Sequence, residues 1–103
     1  MESSTLTSKQ VRYLRGLGHH LEPVVMLGRE GVTDNLLKAL AACLTARELI
    51  KVKLQQNCPL GKEEAAAALA EASGAAVVQI LGKTILFYRR NPDLRQDKAI
   101  RLP

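Results

Sequence analysis

The sequence predicts a single α/β domain in which three helices and four strands follow in the order α-β-α-β-α-β-β. Helical and strand periodicities alternate along the chain, a two-residue turn closes a hairpin near its end, and 103 residues suffice for one modest core. Strands joined through helices run parallel, whereas the hairpin adds one antiparallel strand. The economical arrangement is a two-layer sandwich with a four-stranded mixed sheet.

The first helix is predicted to begin at Thr7, because Thr7 and Gln10 have the spacing of a capping box. Apolar residues recur on one face of this helix. The other face carries three cations: Lys9, Arg12 and Arg15. Gly16 and Gly18 weaken the final turn, so the helix is expected to end near His19. A basic ridge on the first helix is therefore predicted.

The first strand is predicted from Val24 to Leu27, and its continuously apolar character is typical of a strand covered on both faces or of a central strand. A Gly-Arg-Glu-Gly tetrad, Gly28 to Gly31, follows directly, and Thr33 then caps a second helix. Two glycines at this spacing allow backbone amides to face outward at the mouth of a helix, as in a phosphate-binding loop. Taken alone, the tetrad rather favours an ordinary strand-to-helix turn.

Residues 48–55 (ELIKVKLQ) alternate apolar residues with Lys51 and Lys53, which predicts a half-exposed strand with both lysines on one face. An alanine-rich third helix follows and is predicted to end at Gly74. Residues 91–103 are interpreted as a C-terminal tail that follows a domain of residues 1–90 and is anchored to it by Leu94 and Ile100.

The closing hairpin is predicted to turn at Gly82 and Lys83. Its two-residue loop is expected to pair Ile80 with Ile85 and Val78 with Phe87 on one face. The other face is more apolar than open solvent favours: Val77, Gln79, Leu81, Leu86 and Tyr88. We therefore expect something to cover that second face.

The chain is basic, with 15 Lys and Arg against 10 Asp and Glu, a formal charge of +5 and a pI near 9.6. Such a balance favours a polyanionic partner, although a solvated basic surface explains it equally well. Aromatic residues make up only 3% of the chain, which disfavours a stacking platform of several rings. Any nucleic acid is thus expected to be held mainly by charge and backbone contacts.

No residue pattern indicates catalysis. His19 and His20 are adjacent and point apart, Cys43 and Cys58 have no metal-ligand spacing, and no nucleophile elbow or Walker lysine is present. We expect no enzyme activity, metal, cofactor or small-molecule substrate. With no long apolar segment, no signal-peptide pattern and no heptad seam, a cytoplasmic monomer without a membrane partner is predicted.

Three strings resemble the segments that characterise the CRM domain (chloroplast RNA splicing and ribosome maturation) in its stand-alone bacterial, YhbY-like form. They are HLEPVVMLGREGVT, ARELIKVKL and VVQILGKTILFYR, and the match extends over residues 9–90. The resemblance implies a fold similar to the C-terminal domain of translation initiation factor three. It also implies non-catalytic RNA binding in ribosome assembly, with precursors of the large ribosomal subunit as the partner.

The resemblance further implies that the tetrad contacts the RNA backbone, much as the corresponding loop of KH domains does. Glu30 is an unfavourable residue beside a phosphate, because two negative charges repel each other unless a neighbouring cation pairs with the carboxylate. The predicted RNA-binding residues are Gly28, Arg29, Glu30, Gly31, Lys9, Arg12, Arg15, Lys51, Lys53, Lys83 and Arg89. The alternative is a protein-interaction module that docks on a ribosomal protein or an assembly factor through the sheet face near Tyr88.

Overall fold

The computed structural model describes residues 6–95 and 97–103, and the predicted order of elements is confirmed. Within these residues, no helix is long and apolar enough to cross a membrane. The elements are α1 (Ser8–Gly18), β1 (Pro23–Leu27), α2 (Asp34–Arg47), β2 (Leu49–Leu54), α3 (Lys62–Ser73), β3 (Ala76–Leu81) and β4 (Thr84–Tyr88).

The helix boundaries follow from local capping, as predicted. The Thr7 hydroxyl accepts a hydrogen bond from the Gln10 amide at 3.1 Å, and the Gln10 side chain accepts one from the Thr7 amide at 3.0 Å. Thr33 caps α2 through the Leu36 amide at 3.1 Å. Gly74 ends α3 in the left-handed conformation, with φ of 76°.

The four strands form one sheet in the order β1-β2-β4-β3. β1 runs parallel to β2, and β4 is antiparallel to both of its neighbours, which confirms the predicted four-stranded mixed sheet. The expectation of a central or doubly covered β1 is wrong, because β1 is an edge strand and 48% of the Met26 surface is exposed. Its apolar side chains therefore do not all serve the core.

Apolar residues pack on both faces of the sheet. On one face, α2 and α3 cover a core that includes Leu40, Leu69 and Phe87. On the other face, α1 packs through Leu14 against a smaller cluster that includes Leu86. α2 and α3 over the sheet thus form the expected sandwich, and α1 adds a partial layer on the opposite side.

The hairpin has the predicted two-residue turn, and Ile80 pairs with Ile85 as expected. The predicted pairing of Val78 with Phe87 is wrong, because Phe87 lies opposite Val77 and the register shifts between Val77 and Gln79. This bulge turns Val78 to the other face, where it joins the α1 cluster. Two apolar residues in succession on β3 are thereby accommodated.

The C-terminal segment packs against the rest of the domain. Ile100, one of its apolar residues, and Leu102 contact the cluster beneath α1. Glu48, which is 1% exposed, anchors the segment: its two carboxylate oxygens accept hydrogen bonds from the Asn91 and Ile100 amides, each at 2.7 Å. α1 and this segment therefore cover only part of the predicted apolar hairpin face: Leu86 and Tyr88 are 2% and 3% exposed, whereas Leu81 is 69% exposed. Val77 lies on the opposite face, beside Phe87.

Candidate nucleic-acid interface

α1 covers only one end of its sheet face. Its last turn meets the sheet at Gly18, which lies directly against Leu86. Beyond that contact, the same face carries exposed and half-buried side chains, and we call this uncovered part the open face. The open face comprises Met26, Lys51, Lys53, Gln79, Leu81 and Thr84.

A first cleft, the helix cleft, separates α1 from β3. Its α1 side is formed mainly by polar and basic residues: Arg12, Arg15, Gly16, His19 and His20. Gln79 and Leu81 form the opposite side. The two imidazole rings meet edge to face, with centroids 5.2 Å apart. The capping box at Thr7 and the contact of Gly18 with Leu86 fix the two ends of the helix that carries these cations.

A second cleft, the sheet cleft, continues from the first over the open face. It is lined by His19, Pro23, Lys51, Gln79, Leu81, Thr84 and Leu86. Because His19, Gln79 and Leu81 line both clefts, the two adjoin.

A third cleft, the loop cleft, lies where β1 and β2 end and the hairpin turns. It has a volume of about 970 Å³ and is lined by Met26, Lys53, Leu54, Gln55, Gln56, Asn57 and Lys83. Backbone hydrogen bonds of 2.8 Å join its walls, from the Gln55 amide to the Leu27 carbonyl and from the Leu54 amide to the Lys83 carbonyl. The alternation of β2 places Lys51 and Lys53 on the same face, two residues apart along the strand, so that Lys51 lines the sheet cleft and Lys53 the loop cleft.

The clefts carry charge of one sign. Their lining includes five cations: Arg12, Arg15, Lys51, Lys53 and Lys83. None of the described residues that line them is an aspartate or a glutamate. Clefts lined by one sign of charge concentrate the field and attract the opposite charge, so this surface suits a polyanion.

The glycine tetrad forms a tight turn beside the loop cleft. The Gly31 amide donates to the Gly28 carbonyl at 3.0 Å, and Gly31 has φ of 69°, which favours glycine. At Gly28, a Cβ would lie 2.6 Å from the side-chain oxygen of the exposed Gln55, so a larger residue there would displace that side chain. Arg29 and Glu30 are exposed, and no ion pair joins them in the described part of the chain.

This geometry limits the tetrad as a phosphate-binding loop. The Gly31 amide is already used inside the turn and is not free to meet a ligand. None of the four tetrad residues lines the three clefts, although Gln55 connects the tetrad to the loop cleft. The exposed Arg29 is the cation that the tetrad offers to this surface.

The structure brings together most, but not all, of the predicted cations. Lys9 is exposed on α1 one turn before Arg12, outside the clefts. Arg89 is placed elsewhere: its guanidinium donates to the Ser73 carbonyl at 2.9 Å and to the Thr45 hydroxyl at 3.0 Å, on the side of the sheet that α2 and α3 cover. Arg89 therefore joins elements of the fold and is not part of the cleft surface.

Sequence reasoning missed the polar residues that accompany the cations. The sequence patterns predict Gln55, Gln56 and Asn57 only as the end of a strand and a loop, and Met26 only as part of an apolar strand. The signal that was available is the run of three amide side chains directly after a strand, at the edge where loops meet.

A comparison with models of protein families identifies the domain that carries these clefts. The CRS1 / YhbY (CRM) domain model matches residues 6–89. The chain belongs to the CRM domain family. A Bacillus subtilis relative named "Probable RNA-binding protein YqeI" is 45% identical over 98 residues, covering 95% of this chain and 99% of the relative. A Haemophilus influenzae relative named "RNA-binding protein" is 38% identical over 100 residues, covering 97% of each chain.

The fold of this CRM domain is also similar to a solved one. The solution structure of the Staphylococcus aureus protein SAV1595 matches with a TM-score of 0.78 and 39% sequence identity. The match covers 96% of this chain and the whole of that one.

Proposed function

We propose that this CRM-domain protein binds RNA across the helix, sheet and loop clefts, without catalysing a reaction. The observation that carries the proposal is that the three clefts together contain five cations and no acidic residue among their described lining. RNA presents a regularly charged backbone, and its affinity for proteins comes largely from such contacts. The names of the relatives, which describe RNA-binding proteins, agree with this choice of polyanion.

The charge distribution favours recognition of backbone and shape. Arg12 and Arg15 line the helix cleft, Lys51 lines the sheet cleft, and Lys53 and Lys83 line the loop cleft. Cations that are separated in this way contact phosphates along a strand or on two sides of a folded RNA. The protein therefore holds a structured RNA segment with a preformed surface and needs no ATP or metal ion for this.

We further propose that the RNA is ribosomal and belongs to precursors of the large subunit, on which the protein acts in the cytoplasm as a monomer during assembly. The support for this part is the resemblance to stand-alone bacterial CRM proteins, which extends over most of the chain. In this role the tetrad contributes through Arg29 and through its contact with Gln55.

Sedimentation of a cell lysate through a sucrose gradient tests the proposal. At low salt we expect the protein to migrate with large-subunit precursors, and at high salt we expect it to leave them, because phosphate contacts weaken as counterions compete. The Arg12→Glu/Arg15→Glu variant should lose the association at low salt. The matched control is Lys38→Glu/Arg47→Glu, the same charge change at exposed positions of α2.

Two outcomes of this experiment would overturn the proposal. If the protein stays at the top of the gradient at every salt concentration, precursor particles are not its partner. If it remains on the particles at high salt and in the Arg12→Glu/Arg15→Glu variant, an apolar contact with a protein component holds it there. Tyr88 itself is buried, so such a contact near the face first expected would involve its exposed part, at Leu81.

A further inference from the structure

The lining of the loop cleft includes side chains that phosphate binding alone does not require. Besides Lys53 and Lys83, the cleft is lined by the exposed Met26 and by a run of amide side chains at residues 55–57. Cations alone are sufficient to bind a polyanion, so the amides are not needed for that. The sheet and helix clefts have no comparable group of amide side chains. The loop cleft thus differs in chemistry from its neighbours.

The amides are available for a ligand. The side chains of Gln56 and Asn57 make no hydrogen bond in the described part of the chain, and both residues are exposed. Each carries a donor and an acceptor side by side, which matches the edge of a nucleobase. Gln55 lies against Gly28, so it orders the wall from which the next two residues extend.

Met26 supplies an apolar surface at the same place. It is 48% exposed on an edge strand, directly opposite Lys53 in the β1-β2 register. A thioether is polarizable and makes favourable contacts with aromatic rings, so Met26 offers a base a surface for its ring face. Its neighbour Lys53 provides a charge for the adjoining phosphate.

We propose that the loop cleft holds one unpaired nucleobase of the bound RNA. Met26 contacts the ring, Gln56 and Asn57 bond to the edge of the base, and Lys53 and Lys83 contact the flanking phosphates. The cleft is an open depression of about 970 Å³, which leaves room for one nucleotide. This inference rests on the proposed RNA binding and adds a requirement for an unstacked base, which single-stranded loops and bulges supply.

Binding of short oligonucleotides separates this inference from phosphate binding. We would compare an adenosine decamer with a decamer of equal charge in which every nucleotide lacks its base, at one salt concentration. For the unmodified protein we expect the abasic decamer to bind about fivefold or more weakly, since base contacts of this kind are individually modest. A uridine decamer shows whether the cleft discriminates between bases.

The Met26→Ala and Asn57→Ala variants should lose most of the difference in affinity between the two decamers. They should bind the adenosine decamer more weakly and the abasic decamer as well as before. The matched controls are Val77→Ala, an exposed apolar residue on β3, and Asn35→Ala on α2, which should retain the difference. Circular dichroism and a thermal melt confirm that each variant is folded.

The result that would overturn the inference is equal binding of the two decamers by the unmodified protein. If both bind with a normal salt dependence, RNA binding stands and the base site fails. If neither decamer binds, nor a longer structured rRNA, the proposed function fails as well. A loss of base discrimination in the Val77→Ala or Asn35→Ala control would also contradict the assignment.

Discussion

Gly18 lies so close to Leu86 that a Cβ on the glycine would be 2.6 Å from a Leu86 methyl carbon. Leu86 is 2% exposed and has little room to move. The contact therefore holds the last turn of α1 directly on β4 and fixes where the helix ends above the sheet. This close contact sets the position of the basic residues of α1 relative to the open face.

Gly18→Ala should destabilise the fold, whereas Gly16→Ala should stabilise it. Alanine at 18 forces α1 away from Leu86, and we expect a net loss of about 1–2 kcal/mol after the gain in helix propensity. A Cβ at Gly16 meets nothing within 4 Å, so alanine there should gain about 0.5–1 kcal/mol. Urea unfolding measures both, and equal effects of the two substitutions would contradict the packing role of Gly18.

Arg89→Ala should reduce stability without reducing RNA affinity. Its guanidinium donates to the carbonyls of Ser73 and Ala41 and to the Thr45 hydroxyl, which joins the ends of α2 and α3. Loss of these charged hydrogen bonds should cost about 1–3 kcal/mol in a urea titration. The exposed neighbour Arg90 is the control, and a stability unchanged in Arg89→Ala would contradict this reading.

Glu48→Gln should loosen the C-terminal segment. The carboxylate accepts two backbone hydrogen bonds, from Asn91 and Ile100, and an amide replaces one acceptor with a donor that faces an N–H group. We expect a loss of about 1–3 kcal/mol, with faster hydrogen exchange at both amides. Glu71→Gln, at an exposed position of α3, should change little. Unaltered exchange at Asn91 and Ile100 would show that Glu48 is not the anchor.

Stability should fall at alkaline pH in a way that depends on Tyr88. Burial raises the pKa of Tyr88, the nearby Glu48 raises it further, and Arg90 lowers it by less. Since tyrosine in the unfolded chain ionises near pH 10, unfolding then releases a proton, and stability falls as the pH rises from about 10 through the higher folded value. Urea titrations from pH 8 to 11 should show a smaller fall for Tyr88→Phe, and the same fall in both proteins would contradict this assignment. Tyr13→Phe, at an exposed tyrosine, is the control.

Local sequence patterns were sufficient for most of the fold. Capping residues such as Thr7 and Thr33 determine helix starts through contacts three residues away, so their effect is visible in a short window. The alternation that placed Lys51 and Lys53 on one face is equally local. From these features, the order of the elements and part of the proposed binding surface could be predicted.

The remainder depends on contacts between distant residues. Glu48 anchors amides 43 and 52 positions later, and the bulge places Val78 in one cluster with Leu14, which comes from the other end of the chain. The hydrogen-bond acceptors of Arg89 come from two separate helices that are distant in the sequence. In the sequence alone, Arg89 therefore resembles any other basic residue. No local pattern distinguishes such an arginine from one that faces a ligand.

The central claim is that the cations of the clefts contact RNA phosphates, and the salt dependence of binding tests it most directly. We would measure dissociation constants for a large-subunit rRNA transcript over a series of salt concentrations, for the unmodified protein and for Arg12→Ala, Arg15→Ala and Lys53→Ala. Each variant should flatten the log-log slope by about 0.7–0.9, the value for one lost phosphate contact. Lys38→Ala on α2 should leave it unchanged. Unaltered slopes in all three cleft variants would contradict the claim.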